Sequence, residues 1–205
     1  MAYRKTQRVQ EQLADKRVRI LQAARLLASK GGFRASGIDA VAAAAGIATG
    51  TVYRYFPSKA ALFVEVVSRV SEREVSIVAA IARKDGPAQE RLDEAIGLFA
   101  GRALANRRLA YALIVEPSDP EVEAVRLLYR RKLAEAFGAI ITMGMAQGAF
   151  PPQDAAVSGT CIVGALLEAL IGPLALGEGD IGQQVASIAR FCAAAVAAPV
   201  LRRKT

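Results

Sequence analysis

Apolar residues along this chain recur at three- and four-residue spacings, without the alternation a strand would show, so each ordered segment reads as helix. Ile20, Ala24 and Leu27 form the first stripe, with Arg17, Arg25 and Lys30 off it, which predicts an amphipathic helix from Asp15 that ends at Gly31-Gly32. Ile38, Val41, Ala42 and Ala45 give the apolar face of a second, short helix. Ser36, with Asp39 three residues on, announces it as a short-armed capping box, and Gly46 closes it. A third helix begins at Ala48 or Thr49 and stops before Pro57, with Val52 and Phe56, spaced i to i+4, turned inward. Two short helices joined by a tight glycine turn, the second polar and aromatic, make a helix-turn-helix.

From Ser58 a long helix runs to the break at Asp85-Gly86-Pro87 and couples this module to the rest. Helices over 89–105 and 107–115 follow. Ser118-Asp119-Pro120-Glu121 then opens another, which carries Val122, Val125, Leu128, Leu133, Phe137, Ile140 and Ile141 towards Gly148. Helices over about 154–176 and 181–198 complete the chain, before Pro199 and a basic tail. The predicted fold is all-α, with an N-terminal three-helix helix-turn-helix domain and a C-terminal helical bundle. Its expected divisions are a flexible basic arm (1–14, with Arg4, Lys5 and Arg8), the helix-turn-helix domain (15–60) and the helical bundle (61–205).

The last two helices are apolar nearly all round and rich in small residues, so each must bury more than one face. That pattern points to a four-helix bundle between two copies, with Cys161, Gly164, Leu167, Ile171, Ile188, Phe191 and Ala195 as candidate dimer-interface residues. An intramolecular core is the alternative. Glu168 and Pro173 interrupt the run 157–177, which suits a packed bundle helix better than a membrane span, and no membrane partner is expected.

Charge sharpens the division. Residues 1–60 carry eleven Lys and Arg against three acids, an excess of eight that equals the whole net charge of +8. A basic module beside a neutral one is the footprint of a polyanion-binding domain, although a solvated basic terminus would look the same. Cys161 and Cys192 lie in apolar runs, as two buried free thiols of a reducing compartment would, and the N-terminus lacks the apolar core of a signal peptide. A cytoplasmic protein is expected. The chain has no histidine, no phosphate-binding glycine loop and no paired-carboxylate motif, so neither catalysis nor a cofactor or metal is expected.

The run 17–67, with its blocks AARLLASKGGF, IDAVAAAAGIATGTVYRYF and PSKAALF, resembles the DNA-binding domain of the tetracycline-repressor (TetR/AcrR) family of bacterial regulators. Gly32, Gly46, Gly50, Tyr53, Phe56 and Lys59 fall on its motif positions. The resemblance implies a homodimer that binds a double-stranded DNA operator through the third helix. Gly50 lets the first turn approach a groove closely, Thr49 and Thr51 offer hydroxyls and methyls, and Arg54 reaches a guanine edge or a phosphate. Tyr53 and Tyr55 match aromatic positions that hold phosphates in the family, yet they lie about 200° apart on an ideal helix, so packing is the alternative for one of them. Lys59 beside the N-cap Ser58 places a cation at the positive end of a helix, a conflict that a bound phosphate resolves. Ser36 completes the candidate DNA-binding set. Ala48 departs from the family, many of whose members carry Ser or Thr there, and Thr49 is expected to take over as cap.

For the ligand, a small, apolar effector is expected between the helices of 88–176. Phe99, Tyr111, Phe137 and Met143 are candidate walls, and Arg102, Glu116 and Glu168 candidate polar groups. Glu168 amid Leu166, Leu167, Ala169 and Leu170 either meets Arg102, Arg107 or a ligand cation, or sits at a solvent rim. The function expected is a ligand-responsive, sequence-specific repressor on a near-palindromic operator. The alternatives are a constitutive DNA-binding protein without effector and a small helical enzyme or carrier.

Overall fold

The computed structural model describes residues 2–177 and 179–197. The basic tail, 198–205, and the side chains of Arg4, Lys5 and Arg8 lie outside the described residues. Among the described residues the chain forms helices and no strand: α1 (Ala2–Gly31), α2 (Ile38–Ala45), α3 (Thr49–Tyr55), α4 (Lys59–Ala82), α5 (Ala88–Ala105), α6 (Arg107–Ile114), α7 (Pro120–Ala146), α8 (Ala155–Leu176) and α9 (Ile181–Ala197). The all-α expectation holds, and the helix ends fall close to the capping signals. One difference is α1, whose backbone is helical from Ala2, so the stretch read as an unpatterned arm continues the first helix.

Two apolar cores divide the molecule, and α4 belongs to both. Ile20, Ala24 and Ala28 of α1 pack with Val41 of α2, Val52 of α3, Phe56, and Leu62 and Val66 of α4. Further along α4, Val78 and Ile81 join Leu92 and Ile96 of α5, Phe137 and Ile140 of α7, and Leu166 and Leu170 of α8. The first core also takes Leu109 and Ala112 of α6 and Val122 of α7, so it reaches beyond residue 60 into the second module. Burying these side chains fixes the relative placement of the two modules.

Helix ends are closed by specific groups. Gly46, at φ +64°, ends α2 and donates to Ala42 and Ala43 carbonyls, and Ser58 accepts from Ala61 N–H at 3.0 Å to start α4. The buried Arg91 donates to the carbonyls of Ala82 (3.1 Å) and Lys84 (2.9 Å), a cation at the C-terminus of α4 where the dipole favours it. Gly37, and not Ser36, is the N-cap of α2, with no side-chain cap bond. Leu128, expected inward, is exposed on α7.

α7 and α8 cross at glycines. A Cβ on Gly159 would lie 2.3 Å from the Ala134 carbonyl oxygen and 2.9 Å from Gly138 N, both backbone atoms. Gly159→Ala is therefore expected to push the two helices apart and cost about 1–3 kcal/mol, read as a lowered midpoint in chemical denaturation. Gly101→Ala on α5, where nothing lies within 4 Å of the added carbon, is expected to raise stability by up to about 1 kcal/mol in the same assay.

Candidate nucleic-acid interface and the cavity behind it

α3 is seven residues long and is anchored on one side only. Val52 and Phe56 are buried in the first core, as their spacing requires, which leaves Gly50, Tyr53 and Arg54 exposed and Thr51 half-buried. A Cβ on Gly50 would meet nothing within 4 Å, so no neighbour inside the protein demands glycine there. Ala48 is the N-cap and offers no side-chain bond. Thr49 does not replace it, because its hydroxyl donates to Asp39 Oδ1 of α2 at 2.9 Å and so ties the two helices of the motif together. Arg54 lies with its guanidinium 5.9 Å from the Tyr55 ring centroid.

The two tyrosines part company. Tyr53 is 49% exposed on the open face of α3. Tyr55 packs against the first core, and its hydroxyl is buried with no hydrogen-bond partner, so it is not placed to hold a phosphate. Their angular separation on the helix forces one of them inward. Lys59 is half-buried in the first turn of α4, with Nζ 5.8 Å from the Phe63 ring. Ser36 leaves the DNA-facing set altogether. It is fully buried and donates to the Gly32 carbonyl at 2.7 Å, holding the turn after α1.

That turn is also the joint between the modules. Glu116, between α6 and α7, is buried and accepts from Phe33 N–H at 3.0 Å and Arg34 N–H at 2.8 Å. Gly32 sits beside it at φ +76°, and a Cβ there would come within 2.4 Å of Glu116 Oε2. Only glycine meets both conditions. Glu116 is thus an inter-module clamp and not the pocket acid expected from its apolar neighbours.

Next to the clamp lies a cavity of about 310 Å³, between α1 and α4 on one side and α5, α6 and α7 on the other. Phe99 and Arg102 line it as expected, and so does Leu167, first read as an interface residue. The other expected lining residues lie elsewhere. Phe137 is fully buried in the second core, Tyr111 packs half-buried against that core, and Met143 and Glu168 are exposed. Neither arginine offered to Glu168 meets it. Arg102 pairs with Glu74 at 2.8 Å, and Arg107 donates to the Gly177 carbonyl. The sequence did not reveal the α1 and α4 walls, Leu21, Arg25, Val66, Arg69 and Arg73 among them, or Arg126, Tyr129 and Arg130 of α7. Burial pushes the Tyr129 hydroxyl up from its ordinary value, and its bond to Glu72 adds to this.

On the far side, α8 and α9 bury only part of their apolar surface. Val157 is 57% and Phe191 65% exposed, Cys161, Gly164 and Ala195 are exposed, and Ile171 and Ile188 are half-buried. Cys161 is therefore not the buried thiol expected, whereas Cys192 is, and burial raises its pKa. By length and composition α8 could cross a membrane, but Ile162, Val163, Leu166, Leu170 and Leu174 bury one face of it inside this domain.

A helix-turn-helix with its second helix exposed, set on the end of a helical bundle, is the build of a DNA-binding regulator. Residues 20–66 match the family of bacterial regulatory proteins called the tetR family, so this segment of the chain is similar to that family's DNA-binding region. The family is one of regulators and not of enzymes. The chain is 42% identical over 83 residues to the HTH-type transcriptional repressor KstR of Mycolicibacterium smegmatis, covering 40% of this chain and 41% of that protein. It is 52% identical over 59 residues to KstR of Rhodococcus jostii, covering 29% and 28%. The alignments thus span well under half the length of these curated relatives. The fold is similar to that of the transcriptional regulator FadR of Bacillus subtilis, solved with stearoyl-CoA, at TM-score 0.75 and 19% identity over 86% of this chain and 97% of that one.

The tyrosine pair gives a direct check on which face meets DNA. Tyr53→Phe is expected to weaken operator binding about tenfold, the worth of a hydrogen bond to a charged phosphate. Tyr55→Phe removes only a buried, unpartnered hydroxyl and is expected to leave affinity unchanged and stability equal or higher. Gel-shift titration with thermal melting of both variants reads the two effects, and the reverse order would exchange their roles.

Proposed function

We propose that the chain is a homodimeric transcriptional repressor, acting in the cytoplasm, that places its two copies of α3 in successive major grooves of a near-palindromic operator, about 34 Å apart. The observation that carries this reading is the exposed face of α3. Thr51, Tyr53 and Arg54 stand on a helix anchored from behind, with open space over Gly50. Thr51 and Arg54 read base edges, and Tyr53 and Lys59 hold phosphates, with Lys59 next to the free amides at the start of α4. Thr49 adds its methyl, its hydroxyl being held by Asp39.

Residues 15–60 carry the DNA contacts in this reading, and 61–205 carry the effector and the dimer. The exposed apolar faces of α8 and α9, with Cys161, Gly164, Ile171, Ile188, Phe191 and Ala195, are covered by the same faces of a second copy. A small, largely apolar effector fills the cavity at the joint, whose size falls within the range of small-molecule sites. Because α1 and α4 form one wall, an occupant changes the angle between the modules and hence the spacing of the two recognition helices. A coupling free energy of about 1–3 kcal/mol is sufficient.

Selection of genomic fragments with the purified protein, followed by footprinting, is expected to yield protected half-sites one helical turn apart. Binding without sequence preference would sink the repressor reading. In the same titrations at several salt concentrations, Lys59→Ala is expected to flatten the slope of log affinity against log salt by roughly 0.9, the share of one phosphate contact. An unchanged slope removes Lys59 from the set.

A further inference from the structure

Eight bases and one acid lie between residues 16 and 60, and the acid is Asp39. It stands exposed in the first turn of α2, and no cation pairs with it among the described residues. On a face that meets phosphates such a charge works against binding. Its carboxylate has one partner, Thr49 at the start of α3, whose hydroxyl donates to Oδ1 at 2.9 Å. An acid in the first turn of a helix is favoured by the dipole, which accounts for the charge but not for its hold on the neighbouring helix.

The bond restricts what Thr49 can do. A threonine hydroxyl carries one hydrogen and two lone pairs, and a carboxylate oxygen only accepts. Asp39 therefore takes the single proton of Thr49 and leaves its oxygen able only to accept. That oxygen cannot donate to a phosphate, to guanine O6 or N7, or to thymine O4. What it can meet in a major groove is an amino group, cytosine N4 or adenine N6, each of which is a donor. Ala48 before it makes no side-chain cap, and over Gly50 after it nothing lies within 4 Å of an added Cβ. Thr49 is thus the polar side chain at the start of the helix.

Resting on the reading of α3 as the helix that enters the groove, we propose that Asp39 determines specificity by fixing the polarity of Thr49. It makes that hydroxyl an acceptor, which selects an amino group on one base pair of each half-site. The charge of Asp39 lowers affinity for every duplex alike, and the bond to Thr49 sharpens the choice at one position. Loss of affinity and gain of selectivity then come from one carboxylate.

The test selects random duplexes with the full-length protein and with Asp39→Ala, Asp39→Asn and Thr49→Val, then titrates the recovered half-site with each base pair substituted in turn. The natural chain is expected to prefer an amino-bearing base about tenfold at one position under the first turn of α3. Recovery of cytosine or of adenine there names the edge that is read. Asp39→Ala is expected to lower this preference towards unity, leave the other positions unchanged and tighten binding to unrelated duplex. Asp39→Asn keeps the size of the side chain, and its amide can donate to Thr49 as well as accept, so it is expected to relax the preference in part. Thr49→Val removes the oxygen and keeps the shape. In that background Asp39→Ala is expected to change the position no further, since both residues act on one contact. Preferences unchanged in the Asp39 variants, an equal loss of affinity at every position, as a merely structural acid would give, or a full effect of Asp39→Ala in the Thr49→Val background would overturn the proposal. Selection of no sequence by the natural chain overturns the repressor reading as well, so the two failures are told apart.

Discussion

The contact on which the two-module arrangement depends is a single carboxylate shared by two backbone amides. Glu116 reaches from the α6–α7 connection to Phe33 and Arg34, where the chain has just left α1 through Gly32. The turn that follows α1 leaves these two amides without a partner in their own helix, and here the acceptor comes from the other module. Without it, two N–H groups at a largely buried joint lose their partner, each at a cost of about 1–3 kcal/mol. The motif's position on the bundle is therefore set by a specific, directional contact as well as by apolar packing.

Around that contact the molecule is built as two cores that share α4. Leu62 to Val67 serve the motif, and Val78 to Ala82 serve the bundle. The segment between them, with Val70, Ser71, Arg73, Glu74 and Val75, faces the cavity. A change in what fills that space acts on α4 between its two cores. The Arg17 bridge to Glu65, 2.6 Å between Nη1 and Oε1, fastens α1 to α4 just on the motif side of it, so those two helices are coupled where they meet the space.

Much of the architecture was legible in the sequence, because periodicity and capping signals are local. Gly46, Ser58 and Pro120 mark helix ends where the structure has them, and the i to i+4 spacing of Val52 and Phe56 gives the buried side of α3 correctly. What was not legible depends on partners distant in sequence. Ser36 has the composition of an N-cap, but its hydroxyl is used by Gly32 across the turn. Thr49 is drawn off by Asp39. Glu116 amid apolar neighbours suggested a pocket group, and its true partners lie more than eighty residues away. The sequence places the cavity within 88–176, whose helices are central in the chain, whereas its walls include α1 and the middle of α4. Arg126 gave no signal, since an arginine on a charged helix reads as solvent-facing until Ala112 and Phe33 are seen beside it.

The backbone crossing of Gly138 and Gly159 limits how this scaffold can diversify. With no side chain between them, α7 and α8 cannot slide or separate without losing direct main-chain contact. They act as one rigid strut, with the exposed apolar surface of α8 on one side and Arg126, Tyr129 and Leu133 on the other. Substitutions that reshape the cavity therefore leave the exposed surface of α8 in place, because the strut holds it. In the proposed dimer, new specificities are thus open to this scaffold without a new quaternary geometry being selected each time.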